Sequence, residues 1–171
     1  MIKNKHLLDP KKAMEFIAAG KAKFTLVGKE NRFTYYVMQP KFNKKPAENM
    51  RFVKVMDSKR SNDLTYIGLL KFDGKRWNFD FRIPKSIPSE IATFTKNSLE
   101  VKAFEYALKI YQQSDCDKTT LEIWHEGSCC CCARPLTVPE SIVLGWGQVC
   151  LKRLRAKLLE GKETKEEFLA R

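Results

Sequence analysis

The sequence is short of the side chains and motifs on which most enzyme active sites depend. It has only two histidines, His6 and His125, among 171 residues. It contains no phosphate-binding loop of the GxxxxGK[ST] type, no dinucleotide-binding GxGxxG and no GxSxG nucleophile motif. The carboxylate pair Asp115 and Asp117 is expected in a loop, without the basic or metal surroundings of an active site. These absences predict a protein without catalytic activity.

Long apolar segments are missing as well. The first twelve residues contain no apolar segment of the kind a secretory signal needs, and no run is long enough to cross a membrane as a helix. An intracellular location, the cytoplasm of a host cell, is therefore expected, and no membrane partner. In such a reducing location cysteines stay as thiols or bind metal rather than form disulfides.

Four of the six cysteines stand side by side, at positions 129 to 132. Neighbouring Cα atoms are about 3.8 Å apart, less than the roughly 4.4 Å that an ordinary disulfide needs. A metal ion explains the cluster better, because Cys129 and Cys132 form a C-x-x-C pair that a tight turn can bring onto one ion. Zn²⁺ prefers four such ligands in a tetrahedron, and Cys150 and His125 can complete the set.

Other interpretations of this cluster remain open. The cysteines can be reduced, buried residues that lie together, and His125 can be a hydrogen-bonded, half-buried histidine. A redox C-x-x-C is a third alternative, but that motif normally opens a helix in a βαβ unit, which the sequence does not indicate. If four protein ligands hold the ion, no position is left for a substrate, so a structural zinc is favoured over a catalytic one.

The remaining cysteines are expected to be free thiols. Cys130 and Cys131 lie between the two ligands of the C-x-x-C pair, so their side chains should point away from the metal and react first with an alkylating agent. A shift in register could nevertheless exchange Cys131 for Cys132 as a ligand. Cys116 is expected in a polar loop without a partner.

The segment from Glu122 to Cys150 resembles a small zinc-ribbon-like domain of unknown function that occurs in bacteriophage and bacterial proteins. The pattern of that domain runs approximately H-E-G-x-C-x-x-C-G-R-x-L-T-x-P-x-S-I-x-x-G-x-G-x-x-C. The β-rich stretch upstream is similar to the region that often precedes the domain, so the resemblance covers residues 20–155. It implies a phage origin and a structural zinc, and it supplies no activity. Besides His125 and the three cysteines, the matching positions are Arg134, Leu136, Thr137, Pro139, Ser141, Ile142, Gly145 and Gly147.

Three positions depart from the pattern of that family. The family has no counterpart of Cys131, and it usually has glycine where Cys130 and Ala133 stand. Glycine at the second of these places permits the left-handed backbone of a metal knuckle. Alanine there is expected to cost about 1 kcal/mol or to change the turn.

Positive charge is concentrated in the N-terminal part of the chain and in the last helix. Residues 1–62 hold 15 basic and 5 acidic groups, and residues 150–171 hold 7 and 4, whereas residues 99–149 hold 4 and 7. Nucleic acid or an acidic protein surface is the natural partner for such a distribution, although a lysine-rich surface that merely keeps the protein soluble is the alternative. The candidate nucleic-acid-binding residues are Lys41, Lys44, Lys45, Arg51, Lys54, Arg60, Lys152, Arg153 and Arg155.

Aromatic residues accompany the first of these basic groups. Phe33, Tyr35 and Tyr36 lie near them in the sequence, and rings on a basic sheet can stack bases. Alternate residues of a strand face the core, however, so any one of the rings can instead be a core residue. Trp146 is expected to pack inside the C-terminal module.

The expected fold class is α+β, with an antiparallel sheet of about five strands, a covering helix and a C-terminal zinc knuckle. Strand-like runs occur at 23–28, 32–39, 51–57, 64–72 and 76–82, with turns at 28–31 and at Asp73-Gly74 and a loop at 40–49. Apolar residues at helical spacing predict a helix over 99–113, a strand at 119–124 delivers His125, and a final helix begins at Gln148. Thr137 and Glu140 form a capping box for a short helix that ends at Gly145.

The chain is accordingly divided into an N-terminal helical arm (1–20), a β-rich domain with a helix (21–115), a zinc-binding module (119–160) and a tail (161–171). The function expected is that of a non-catalytic, phage-encoded nucleic-acid-binding protein, for DNA or RNA, with a structural Zn²⁺. The alternative is a protein–protein module that binds a host or phage complex and inhibits or modulates host defence or transcription machinery.

Overall fold

Seven strands form one antiparallel sheet in the computed structural model, which describes residues 6–57 and 63–159. The strands in chain order are β1 His6–Leu7, β2 Lys21–Val27, β3 Arg32–Met38, β4 Lys41–Phe42, β5 Lys45–Pro46, β6 Met50–Asp57, β7 Asp63–Phe72, β8 Trp77–Phe81 and β9 Glu122–His125. The order across the sheet is β1-β9-β2-β3-β6-β7-β8, while β4 and β5 pair with each other as a separate hairpin.

The α+β class is confirmed, but the number of strands was underestimated. Five strands of the sheet coincide with the five predicted runs, β9 corresponds to the further strand predicted at 119–124, and β1 was not predicted; β9 and β1 extend the sheet beyond β2. Because β9 lies between β1 and β2, the predicted arm, β-rich domain and metal-binding module all contribute strands to one sheet. The predicted tail, 161–171, lies outside the described residues.

Local turn chemistry accounts for the hairpins. The N–H of Gly28 donates to the carbonyl of Asn31 at 2.9 Å, and Asp73 Oδ1 accepts from the N–H groups of Lys75 and Arg76, as expected for the predicted turns. The predicted loop 40–49 is instead folded into the β4–β5 hairpin. Its two central residues both have positive φ, as a type I′ turn requires: 48° at Asn43 and 65° at Lys44.

Helices cover one side of the sheet, which we call the core face. They are α1 Ala13–Ile17, α2 Leu99–Tyr111 and α3 Pro139–Leu144, and α3 is followed in the chain by α4 Gln148–Leu159. Phe104 of α2 lies 5.2 Å from Tyr35 and 5.0 Å from Phe79 between ring centroids, and Phe16 of α1 lies 6.3 Å from Phe24. The predicted covering helix is therefore α2, and its apolar stripe is part of the core.

Two local expectations were wrong. No side chain caps α3, whose first residue is Pro139, so that the cap position falls on Val138 and the Thr137–Glu140 capping box is out of register. Cys116 is 5% exposed and packs in the core at the start of a 3-10 turn, rather than in a polar loop. Within the described parts of the chain, no helix is long and apolar enough to span a membrane.

Candidate metal centre and open sheet face

A tight knuckle presents the first two candidate ligands. The N–H of Cys129 donates to the carbonyl of Arg134, and the N–H of Ala133 donates to the carbonyl of Cys129, each at 2.8 Å. The knuckle is attached to the sheet because the N–H of Lys21 in β2 donates to the carbonyl of Cys130 at 2.7 Å. Hydrogen bonds of the main chain therefore fix the position of the C-x-x-C pair relative to the sheet.

The third candidate ligand comes from the first turn of α4. Cys150 is 7% exposed there, and its sulfur lies together with those of Cys129 and Cys132, all three within 4.8 Å of one another. Ligands at about 2.3 Å in a tetrahedron around zinc have their sulfurs about 3.8 Å apart, so a small closure would suffice. The three cysteines predicted from the sequence thus form a cluster that could hold a metal ion.

The electrostatics of the cluster suit a cation. Hydrogen bonds from the Cys130 thiol and from backbone N–H groups lower the pKa of the Cys129 thiol to about 4, and the N–H of Gly147 lies 3.2 Å from its sulfur. Burial and the charge of neighbouring cysteines raise the pKa of Cys150. The Cys129 thiolate therefore forms readily, whereas ionisation of Cys150 as well needs a compensating positive charge such as a metal ion.

His125 does not join this cluster, contrary to the expectation from its spacing. The N–H of Gly127 donates to its Nδ1 at 3.1 Å, which leaves Nε2 to donate to the carbonyl of Ile142 at 2.7 Å. The side chain is fully buried, with ring centroids 5.3 Å from His6 and 5.4 Å from Phe16, and burial lowers its pKa. Both nitrogens are occupied, so His125 has the alternative role of a hydrogen-bonded core histidine that links β9 to α3.

The other two cysteines of the run differ from each other. Cys130 is fully buried, and burial raises the pKa of its thiol well above the usual value, so the expectation that it reacts early with an alkylating agent is wrong. Cys131 is partly exposed, and its thiol forms a hydrogen bond with that of Cys150. A further sulfur therefore stands next to the three clustered ones.

Ala133 has the left-handed conformation that its position in the knuckle requires. Its φ is 64°, and its side chain is exposed. A left-handed backbone costs a residue with a Cβ about 1–2 kcal/mol. Of the two outcomes expected for alanine at this position, the strained turn and not the changed turn is observed.

An open cleft of about 290 Å³ lies beside the cysteines. Cys129, Cys132 and Cys150 line one part of it, and the exposed side chains of Arg134 and Arg153 flank it. Lys152, Arg153 and Arg155, predicted as a second basic surface, are all exposed on α4, and Arg153 is the one of the three that lines this cleft. Trp146 is 3% exposed and packs in the core, as expected.

Arg51, predicted to bind nucleic acid, is 1% exposed on the core face. Its Nε donates to the carbonyl of Ala18 at 2.8 Å, its Nη1 donates to that of Glu48 at 3.0 Å, and its guanidinium lies 4.9 Å from the ring centroid of Trp77. Burial lowers its pKa to about 10. It therefore ties α1, β6 and the hairpin segment together and does not reach a ligand. Arg60 lies outside the described residues.

The other side of the sheet, opposite α1, α2 and α3, carries the basic and aromatic residues; we call it the open face. Four neighbouring strands contribute one residue each to a line across it, with Lys23 opposite Tyr36, Tyr36 opposite Lys54 and Lys54 opposite Tyr66. We call these four residues the basic–aromatic row. All four side chains are half-buried, and Lys23 also forms an ion pair with Glu126 at 3.1 Å.

The β4–β5 hairpin continues the open face. Phe42 is 55% exposed, and its ring lies 6.4 Å from Phe52, which in turn lies 5.6 Å from Tyr66. The three predicted lysines of the hairpin, Lys41, Lys44 and Lys45, are exposed. Aromatic rings and lysines are thus contiguous from the hairpin to the centre of the sheet.

Strand alternation separates the residues that sequence reasoning grouped together. Tyr35 is fully buried on the core face and donates to the carbonyl of Glu100 at 2.7 Å, whereas Tyr36 faces the other way. Lys23 and Tyr66 were missed, although the period of two along β2 and the pairing of β6 with β7 contain the signal. The same alternation, Arg51-Val53-Val55, indicates that Arg51 faces the core.

Comparison with known proteins supports a family resemblance for the metal module alone. Residues 122–155 match the model of a family described as a family of unknown function, DUF6011. This range contains β9, the knuckle, α3 and most of α4, and therefore all three clustered cysteines. Searches of the curated proteins and of the solved structures gave no match. The module is thus similar to a family for which no function is described.

Proposed function

We propose that the protein binds nucleic acid, without catalysis, through the open face of its sheet and the β4–β5 hairpin. The observation that carries the proposal is that Lys54 stands between two tyrosines on this face, with the exposed lysines of the hairpin next to them. Lysines neutralise phosphates and aromatic rings stack on bases, and the two together are the usual composition of a nucleic-acid-binding surface.

The charge balance supports the same partner. Among the described residues no acidic group forms an ion pair with Lys54, Lys41, Lys44 or Lys45 at 4.0 Å or less, so these cations are available to phosphates. Residues 1–62 also hold an excess of basic over acidic groups, 15 against 5, which favours an anionic partner for the protein. We also propose that the protein is encoded by a phage, as its resemblance to the zinc-ribbon-like domain implies.

The metal, which we propose to be Zn²⁺ held by Cys129, Cys132 and Cys150, would act as a structural staple. Thiolates are soft ligands that favour zinc, and three of them give one ion a firm hold on the knuckle and on α4 at once. When bound, the ion would supply the positive charge that lets all three thiols ionise. No reaction is assigned to it.

The proposal is tested by the salt dependence of binding. A fluorescent oligonucleotide titrated with the protein at several salt concentrations should bind more weakly as salt rises. Lys44→Glu combined with Lys45→Glu should weaken binding and lower the slope of log K against log salt by about 0.7–0.9 for each phosphate that the two side chains no longer neutralise. Lys102→Glu with Lys109→Glu makes the same change in charge on exposed positions of α2, across the molecule from the open face, and should have a much smaller effect.

Equal effects of the two double variants would mean that only net charge matters and would contradict a defined surface. The absence of binding to single- or double-stranded DNA or RNA at low salt would remove the proposal altogether.

A protein partner is the second candidate, because the metal module exposes apolar side chains. Val143 of α3 is 66% exposed and Val149 of α4 is 59% exposed, and Val149 lines the same cleft as Arg153. A host or phage complex of defence or transcription machinery would be such a partner. This candidate is favoured if a stoichiometric complex survives nuclease treatment and is lost on Val143→Glu or Val149→Glu, but persists with the hairpin variant.

A further inference from the structure

We infer that the basic–aromatic row selects single-stranded over double-stranded nucleic acid, with bases stacked on Tyr36 and Tyr66 and a phosphate held by Lys54 between them. This inference rests on the proposed function and narrows it to a class of ligand. It is carried by the register of the strands, by the exposure of the two rings and by the chemistry of base faces.

The register fixes the spacing of the three groups. Tyr36 and Lys54 are directly opposite each other in β3 and β6, and Lys54 and Tyr66 are directly opposite in β6 and β7. Adjacent strands are about 4.8 Å apart, so the two tyrosines are separated by about 10 Å with the lysine midway. A strand of nucleic acid that crosses the sheet along this row meets an aromatic ring, a cation and a second ring in turn.

The rings of the row are available, unlike their neighbours on the core face. Tyr35 is fully buried and its hydroxyl is hydrogen-bonded to the carbonyl of Glu100, whereas Tyr36 and Tyr66 are only half-buried. The ring of Tyr66 stands nearly perpendicular to that of Phe52, at 84°, and this contact holds it in position. A held ring loses little conformational entropy when a base stacks on it.

A duplex cannot use such rings, because its bases are stacked on one another and show only their edges in the grooves. A single strand has free base faces, and stacking on an aromatic side chain is sequence-tolerant because each base has one. The lysines alone would attract both forms through their phosphates. The tyrosines therefore provide the preference for single strands, and the lysines provide the attraction.

The inference is tested with fluorescein-labelled oligo-dT and oligo-U of about 16 nucleotides and with a DNA duplex of the same length. Both single strands should bind more tightly than the duplex at the same salt concentration. Tyr36→Ala and Tyr66→Ala should each weaken single-strand binding by about 5- to 150-fold and leave the weak duplex binding nearly unchanged. Tighter binding of oligo-U or of oligo-dT would point to RNA or to DNA as the natural strand.

Two matched variants separate stacking from folding. Tyr106→Ala makes the same change at a tyrosine that is 55% exposed on α2, away from the open face, and should leave binding unchanged. Tyr36→Phe keeps the ring and should retain the affinity that Tyr36→Ala loses. Two results would overturn the inference and leave the proposed function standing. The first is a duplex that binds as tightly as the single strands. The second is wild-type affinity of Tyr36→Ala and Tyr66→Ala together with impaired binding of the hairpin lysine variant. If no oligonucleotide binds at low salt, both fall.

Discussion

Replacing Ala133 by glycine should stabilise the protein, which is unusual for a substitution that removes atoms. Ala133 has φ 64° in the knuckle between Cys129 and Arg134, and its exposed methyl group buries little surface. The left-handed backbone costs alanine about 1–2 kcal/mol. Glycine adopts this conformation without that cost. It also has more conformational freedom in the unfolded chain, which lowers the free energy of unfolding by about 0.4–1 kcal/mol.

The net effect expected of Ala133→Gly is a gain of about 0.5–1 kcal/mol in the free energy of unfolding. For a chain of this size that corresponds to a rise of about 1–4 °C in the melting temperature. Urea unfolding of the zinc-loaded protein, followed by tryptophan fluorescence, should show a higher midpoint with the same slope, because the surface exposed on unfolding does not change. The hydrogen bond from the N–H of residue 133 to the carbonyl of Cys129 should be kept.

Ala92→Gly is the matched control for this prediction. Ala92 has φ −63° and ψ 131°, an ordinary extended conformation in which alanine is unstrained. The same substitution there should destabilise the protein, by about 0.4–1 kcal/mol through the unfolded state and further through the loss of a half-buried methyl group. If both variants lose stability to the same extent, the strain at Ala133 does not exist and the knuckle has another backbone conformation.

Three further outcomes are expected. Gly145→Ala should destabilise the protein by about 2–5 kcal/mol in urea unfolding, because a Cβ there would lie 2.5 Å from the ring of Phe16. Gly74→Ala is the control: Gly74 has φ +94° but nothing within 4 Å, so this variant should lose only about 1–2 kcal/mol through backbone strain. Equal losses of stability in the two variants would contradict the close packing of Gly145 on Phe16. In an NMR pH titration, burial should make His125 take up its proton at a lower pH than a histidine of the unfolded chain does. The contribution of the neutral ring to stability is therefore complete above about pH 6.5 and is lost as the pH falls from there through the lowered pKa. A measured pKa at or above the ordinary histidine value would refute the buried, neutral ring. A chelator should remove about one zinc per chain, and hydrogen exchange should then show that the segment around the knuckle unfolds first. A protein that never carries metal and still protects this segment from exchange would contradict a structural role for zinc.

Much of the sheet could be predicted because its hairpins are encoded locally. Gly28 and the Asp73-Gly74 pair mark turns whose hydrogen bonds involve neighbouring residues, so short stretches of sequence contain the whole signal. β1 and β9 are different, since they pair with each other and, in the case of β9, with β2, although these strands are far apart in the chain. β9 was predicted as a strand at 119–124, but its partners and the two-residue β1 were not, because a strand without a local turn carries no signal for its pairing.

In the candidate site as well, some residues could be predicted from the sequence and others could not. The spacing of Cys129 and Cys132 within one turn predicts their proximity, and Cys150 follows from its place in the resemblance, and the three sulfurs do cluster. His125 and Arg51 had the residue type and spacing of ligand-binding groups, but their roles depend on backbone carbonyls contributed by distant elements, Ile142 for one and Ala18 for the other. Spacing along the chain cannot reveal that a polar side chain is already satisfied by such a partner.

Strand β2 connects the candidate metal centre with the basic–aromatic row. β2 receives the knuckle at its first residue, where the N–H of Lys21 donates to the carbonyl of Cys130, and it contributes Lys23 to the basic–aromatic row two residues later. On its other side it pairs with β9, in which Trp124 lies opposite Thr25 on the open face. Metal bound by the knuckle would therefore stabilise the β2 end of the basic–aromatic row without touching the nucleic acid. Loss of the metal should weaken nucleic-acid binding through the disorder of β2 and β9, while Tyr66 on the far side of the row keeps its contact with Phe52.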